Sequence, residues 1–211
     1  MNVIKYDDFC SIQYVSRETY DKFKIYYETL IKWQKSINLI SNSTLDNIWN
    51  RHILDSAQLY KYTHNLKGNI LDFGSGAGFP GLVLAMMGNE NVNAVESDEK
   101  KCIFLKEVAR LSDTKINIHN SRIEKLKFLN PELITARALA PLIKLIDYIE
   151  NYMKQGDNLR KDLPKLLFLK GKNYKQELLE LKKIRNFDVT VCSSVSDEYG
   201  KVLNIKNISV C

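Results

Sequence analysis

Two carboxylates and a run of glycines are the residues of this chain best equipped for chemistry. Residues 69–81 read NILDFGSGAGFPG, in which an apolar, strand-like run ending at Asp72 leads into Gly74-x-Gly76-x-Gly78 and Pro80 stands where a following helix would begin. Glycines at this spacing let a backbone approach a ligand closely and adopt positive φ. A loop built for pyrophosphate alone presents helix N-terminal N–H groups to an anion. A carboxylate beside the glycines suits a ligand that also carries an ammonium or sulfonium. Glu96, which ends the next strand-like run at 91–97 (NVNAVES), stands about where a ribose diol would lie.

Together these residues predict a site for a cationic adenosine cofactor, and S-adenosylmethionine fits that description. Two other readings stay open on the loop alone. Gly76-x-Gly78-x-x-Gly81 is a formal match to the dinucleotide fingerprint, and three close glycines also make an ordinary βα turn. Glu96 supports an adenosine ligand without choosing between the two cofactors.

The elements that must position these groups fall into two parts. Apolar residues Tyr20, Phe23, Tyr27, Leu30 and Ile31 recur at helical spacing over 17–40, and a second helical pattern runs over 44–62. From residue 69, strand-like runs at 69–74, 91–97, 115–120, 133–138 and 165–170 alternate with helical ones, and 188–194 and 201–208 follow without a helix between. This order predicts an α/β fold: a Rossmann-like, seven-stranded class I S-adenosylmethionine-dependent methyltransferase sheet over 67–211, preceded by an N-terminal helical cap over 1–66. The polar segment 154–165 (KQGDNLRKDLPK) reads as an exposed loop.

Composition narrows the class. A chain of 211 residues buries a full core without staples and leaves no room for a second catalytic domain. Four scattered cysteines and three histidines suggest neither a disulfide framework nor a metal site. No stretch approaches the roughly 20 apolar residues of a membrane span. A cytoplasmic, monomeric, metal-free protein is expected. The formal net charge of +6 favours a polyanionic partner, and the basic residues concentrate after residue 100.

The chain resembles the RsmG family (glucose-inhibited division protein B), bacterial enzymes that methylate N7 of a guanine in 16S ribosomal RNA. The resemblance runs from about Ser36 to Lys172. It is carried by Asn38-Leu39-Ile40, Arg51-His52-Ile53-Leu54-Asp55-Ser56, the Asp72 to Gly81 loop, Glu96-Ser97 with Lys100-Lys101, Arg122-Ile123-Glu124, Ala136-Arg137-Ala138 and Lys170-Gly171. The family's connector before the Lys-Gly strand is usually shorter than 154–165. The resemblance implies donor contacts at Gly74 and Phe79, adenine contacts at Ile123 and Glu124, and a cofactor-site arginine at Arg137. It also implies that the helix face bearing Arg51 and His52 closes over donor and target base. Cofactor-binding candidates are thus Asp72, Gly74, Gly76, Gly78, Phe79, Glu96, Ile123, Glu124 and Arg137. Arg51, Lys100, Lys101, Lys170 and Lys172 are the candidates for RNA, with His52 and Arg137 as positioning groups. The expected partners are 16S ribosomal RNA and the small ribosomal subunit.

The fourth strand bears on the chemistry. Ala136-Arg137-Ala138-Leu139 stands where amino-group methyltransferases carry Asn/Asp-Pro-Pro-aromatic, and none of the four cysteines has the neighbouring proline of a C5-pyrimidine nucleophile. Guanine N7 already presents a lone pair, so displacement there needs no general base. A nicotinamide oxidoreductase and a non-enzymatic RNA-binding module are the competing classes. The first lacks a substrate domain and a hydride-transfer constellation, and the second leaves the donor loop without a purpose.

Overall fold

A computed structural model of the chain describes residues 3–156 and 163–210. Seven strands form one sheet in the order β3-β2-β1-β4-β5-β7-β6. They are β1 (Asn69–Phe73), β2 (Val92–Glu96), β3 (Asn117–Asn120), β4 (Pro131–Arg137), β5 (Lys165–Lys170), β6 (Arg185–Ser193) and β7 (Lys201–Val210). The first five pair in parallel, and β7 runs antiparallel to both β5 and β6. The burial pattern explains the division: β2 (VNAVE) is buried at every position, as a parallel strand covered on both faces must be, while β6 (RNFDVTVCS) alternates, as an edge strand with one wet face does.

β1 lies between β2 and β4, so the chain winds outward in both directions from this pair. The carboxyl ends of β1 and β4 therefore make the crevice where an open α/β sheet binds ligand. Helices α5 (Gly81–Met86), α6 (Glu99–Leu111), α7 (Leu142–Met153) and α8 (Tyr174–Lys182) cover the sheet. All six residues of α5 are buried.

Four short or medium helices precede the sheet: α1 (Tyr6–Ile12), α2 (Arg17–Gln34), α3 (Asp55–Ala57) and α4 (Tyr60–Thr63). α2 starts at Ser16, whose hydroxyl accepts from Thr19 N at 3.1 Å. Its apolar stripe of Tyr20, Phe23, Tyr26, Tyr27 and Leu30 joins Phe9 and Trp49 in one apolar cluster with Phe104, Leu105 and Val108 of α6. Cap and sheet share this core. The opposite face of the sheet buries Leu71, Phe73, Ile134 and Phe168 against Leu145, Ile149 and Tyr152 of α7.

Two expected helices differ in the structure. The first ends at Gln34 instead of continuing to 40, because the Gln34 side chain accepts from Leu39 N (3.0 Å) and Ile40 N (3.1 Å) and donates to Ile40 O (2.9 Å). This bends the chain back on itself. The helix expected over 44–62 is broken into a 3₁₀ stretch (Asn42–Asn47), a π-helical segment (Trp49–Leu54), α3 and α4. Part of the 154–165 loop, residues 157–162, lies outside the described residues.

Candidate active site

The loop after β1 is shaped from both sides by carboxylates. Asp72, fully buried, accepts from Gly81 N (3.1 Å) through Oδ2 and from the Thr135 hydroxyl (3.1 Å) through Oδ1. Burial pushes its carboxyl up to about 6, against the pull of these hydrogen bonds. Asp72 thus ties the start of α5 to β4 from behind the loop and does not line the cavity, contrary to the expectation that it faces a cation. Gly81 is the reason it fits: a Cβ there would come within 2.7 Å of Asp72 Oδ2. Gly78 also faces inward, against Tyr26, Leu82 and Leu105, and, contrary to expectation, is not part of the cavity lining.

Gly74 and Gly76 do reach the cavity. Both have positive φ (66° and 57°), and a Cβ on Gly74 would meet Leu139 Cδ1 at 2.5 Å, whereas one on Gly76 would find only open space inside 3.8 Å. Glu96 closes this wall. Its Oε2 accepts from Gly76 N and its Oε1 from Asp98 N, each at 2.8 Å, so the end of β2 fixes the loop after β1. The cavity encloses about 540 Å³, a volume suited to a nucleoside-sized ligand. Its lining brings together Gly74, Gly76, Phe79, Glu96, Lys101, Ile123, Glu124, Arg137 and His52 from five separate stretches of chain.

Phe79, His52 and Arg137 form the wall opposite. The Phe79 ring stacks on Tyr26 (5.0 Å between centroids), lies 4.9 Å from the His52 ring and has the Arg137 guanidinium 5.7 Å from its centre. His52 Nε2 is 2.9 Å from the Thr44 hydroxyl. Burial, reinforced by Arg137 and Arg51, lowers the His52 imidazole to about 3, which keeps it neutral near pH 7. Arg137 donates from Nη2 to Arg51 O and pairs through Nε with Asp55 Oδ2 at 3.5 Å. Among the described residues its buried Nη1 has no hydrogen-bond partner. A buried guanidinium with an orphan N–H beside a cavity fits an anionic ligand group.

Several expected nucleic-acid contacts are used inside the protein. Arg51 pairs with Asp197 and not with Asp55, its neighbour by helical spacing, because Asp55 is drawn to Arg137. Lys170 is nearly buried, bonded to Glu177 Oε2 (2.6 Å) and Ala140 O (2.8 Å), and it braces the turn after β4. Lys100, Lys101 and Lys172 form no ion pair among the described residues. Lys100 and Lys101 occupy the first turn of α6, where the helix dipole disfavours cations.

Among the wall residues that sequence reasoning missed are Ile40, Ser41, Thr44 and Ala138. Ile40, Ser41 and Thr44 reach the cavity because the Gln34-held bend turns the cap toward the sheet. Ala138, at the end of β4, holds φ 52°, an uncommon conformation for alanine, and nothing in its residue type signals it.

Comparison with known proteins places this arrangement. The model of the GidB family, described as rRNA small subunit methyltransferase G, matches residues 19–205. A ribosomal RNA small subunit methyltransferase G of Orientia tsutsugamushi is 46% identical over 200 residues, covering 94% of this chain and 96% of that protein. One from Paramagnetospirillum magneticum is 42% identical over 195 residues, covering 92% of each chain. Among solved structures, magnesium protoporphyrin IX methyltransferase from Synechocystis, crystallised with bound SAM, matches with a TM-score of 0.58 at 13% identity, over 92% of this chain and 98% of that one. An rRNA methylase from Streptococcus thermophilus gives 0.50 at 10% identity, over 71% and 94%. At such identities these two establish the class I methyltransferase fold alone. With the family model and the relatives spanning nearly its whole length, the chain belongs to the GidB family of ribosomal RNA small subunit methyltransferases.

Proposed function

We propose that this protein transfers the methyl group of S-adenosylmethionine to N7 of a guanine in 16S ribosomal RNA of the small ribosomal subunit. It does so as a cytoplasmic monomer without a metal, with the cap (1–66) serving the methyltransferase domain (67–211). The observation that carries the reading is the unpartnered Nη1 of Arg137 beside the glycine-lined cavity, since the family's methyl donor ends in a carboxylate. In this assignment Gly74 and Gly76 offer close backbone approach and Glu96 faces the ribose hydroxyls. Ile123 and Glu124 take the adenine, Arg137 takes the carboxylate, and Phe79 covers an apolar part. S-adenosylmethionine, when bound, supplies a methyl group activated on a sulfonium.

The chain's own residues then have only to orient and to exclude water. His52, at about 3, is too weak a base to serve near pH 7, and both Glu96 oxygens already accept backbone N–H groups. With Glu124, the other lining carboxylate, assigned to the adenine, no wall residue is left to serve as a base, which suits a nucleophile with no proton to lose, as guanine N7 is. Near-attack orientation can supply roughly 7 to 11 kcal/mol of barrier lowering. His52 and Arg137 act as positioning groups at that end of the cavity, and Lys100, Lys101 and Lys172 meet phosphates. The test is methylation of small subunits from an unmodified strain, followed by borohydride and aniline. Cleavage of the 16S RNA at one site is expected. Label found on an exocyclic amine, a pyrimidine C5 or a ribose hydroxyl would overturn the N7 assignment.

A further inference from the structure

The turn between β6 and β7 lies off the cavity yet is bound to it through one carboxylate. Asp55 Oδ1 accepts from the hydroxyls of Ser194 (2.9 Å) and Ser196 (2.7 Å) and from Gln58 Nε2 (2.9 Å). Asp55 Oδ2 faces Arg137 Nε at 3.5 Å. Gln58 doubles the link, donating to Ser194 Oγ (2.9 Å) and accepting from Val195 N (3.1 Å) through its own oxygen. Arg51, whose carbonyl accepts from Arg137, pairs with Asp197 of the same turn. The turn itself is closed by Ser194 N to Gly200 O (2.9 Å) and Gly200 N to Asp197 O (3.0 Å).

We infer that Ser194 and Ser196 are positioning residues for the methyl donor: through Asp55 they hold Arg137 with its Nη1 kept back for the ligand's carboxylate. A serine hydroxyl has one proton to give, and here each gives it to Asp55, which leaves that carboxylate saturated on one oxygen and directed at Arg137 by the other. Without the hydroxyls Asp55 would be free to rotate and bind Arg137 side-on through Nε and Nη2, drawing Nη2 away from Arg51 O and turning Nη1 off the aim that the ligand needs. The hairpin would thus set the affinity for the donor's amino-acid end and leave its adenosine end untouched. This inference rests on the proposed donor assignment.

Calorimetry of the full chain with two ligands tests it. S-adenosylhomocysteine carries the carboxylate; 5′-methylthioadenosine keeps the adenosine and lacks the amino-acid portion. In the Ser194→Ala/Ser196→Ala variant, affinity for S-adenosylhomocysteine should fall roughly tenfold, with methylthioadenosine held within about twofold. The Ser194→Thr/Ser196→Thr variant should restore the difference. Added to Arg137→Ala, the alanine pair should cause no further loss. Asp55→Asn, which keeps an acceptor for the hydroxyls and removes the charge facing Arg137, should show the same selective loss and serves if the alanine pair fails to fold. Equal losses for both ligands, or none for either, would overturn the positioning role. Failure of the unaltered protein to bind either ligand would instead sink the donor assignment beneath it.

Discussion

The two walls of the cavity are built differently. The β1–β2 side of the cavity is lined by backbone: Gly74 and Gly76 at positive φ, with Gly76 N held by Glu96 only 20 residues away. The side of the cap is lined by side chains whose partners come from far along the chain. Arg137 bonds to a carbonyl 86 residues earlier, and Asp55 takes hydroxyls 139 and 141 residues later. The first wall is complete once a strand, a loop and a helix have folded. The second exists only when three distant segments have closed on one another, so it depends on the whole fold being in place. Rigid backbone thus makes one wall, and a polar network that only the closed fold assembles makes the other.

The sharpest way to break the first wall is Gly74→Val. The left-handed conformation costs a β-bearing residue about 1 to 2 kcal/mol, and the new Cβ would start 2.5 Å from Leu139. Donor binding should fall below detection in calorimetry while circular dichroism keeps its α/β signature. Retained affinity for S-adenosylhomocysteine would remove Gly74 from the site. Arg137→Ala breaks the second wall less completely, because the backbone wall still holds the adenosine. Loss of a charged hydrogen bond is worth about 1.5 to 3 kcal/mol, so affinity should drop roughly 10- to 150-fold. A loss no larger for S-adenosylhomocysteine than for methylthioadenosine would place the carboxylate elsewhere.

The walls should also answer acid in opposite ways. His52 on the cap side has a folded value of about 3 against an ordinary 6.5, so below pH 6.5 the unfolded chain takes a proton that the native protein refuses. Stability from this group therefore falls as pH drops from 6.5 to 3, by up to about 5 kcal/mol. Asp72, behind the backbone wall, is raised to about 6 from 3.8, so between these values the native state holds the extra proton. Its stabilisation is full below about pH 4 and is lost as pH rises through 6, a swing of about 3 kcal/mol. Between pH 4 and 6 the two slopes cancel. His52→Gln should unmask the Asp72 slope, giving a variant that, relative to the parent, gains stability as pH is lowered across that window in denaturant titrations. Parallel curves for parent and variant would show that His52 does not stay neutral.

How much of this was legible in the sequence follows the same division. The strands stand where their apolar runs place them, and β5 (Lys165–Lys170) coincides with its expected span. That Glu96, Gly74 and Gly76 would share one wall was readable because local spacing alone brings them together. Asp72 was readable as an important acid but not as a hidden one: its partners, Gly81 N and Thr135, lie on a helix and a strand that meet only in the folded sheet. The cap misled more. Helical spacing sets Arg51 beside Asp55, but the π-helical segment gives Asp55 N bonds to both Asn50 O and His52 O and changes which face each side chain takes. The partners that hold Arg51 and Asp55 there, Asp197, Ser194 and Ser196, leave no periodic trace.

The smallest expected effect separates the lysines of the two walls. Lys101 lines the cavity on the β2 side and Lys100 stands beside it, while Lys172 is exposed just beyond β5. Lys170 supports the opposite wall from within, its ammonium spent on Glu177 and Ala140 O. Each phosphate contact adds about 0.7 to 0.9 to the slope of log affinity against log salt, through release of condensed counterions. Replacing Lys100, Lys101 and Lys172 by alanine should therefore flatten that slope for ribosomal RNA by about 2 to 3. Lys170→Ala should leave the slope unchanged and lower the melting temperature instead, because Glu177, which also accepts from Leu142 N at the start of α7, loses its buried partner. A slope that responds to Lys170 and ignores the other three would mean that RNA enters across the side-chain wall, and would exchange the roles of the two walls.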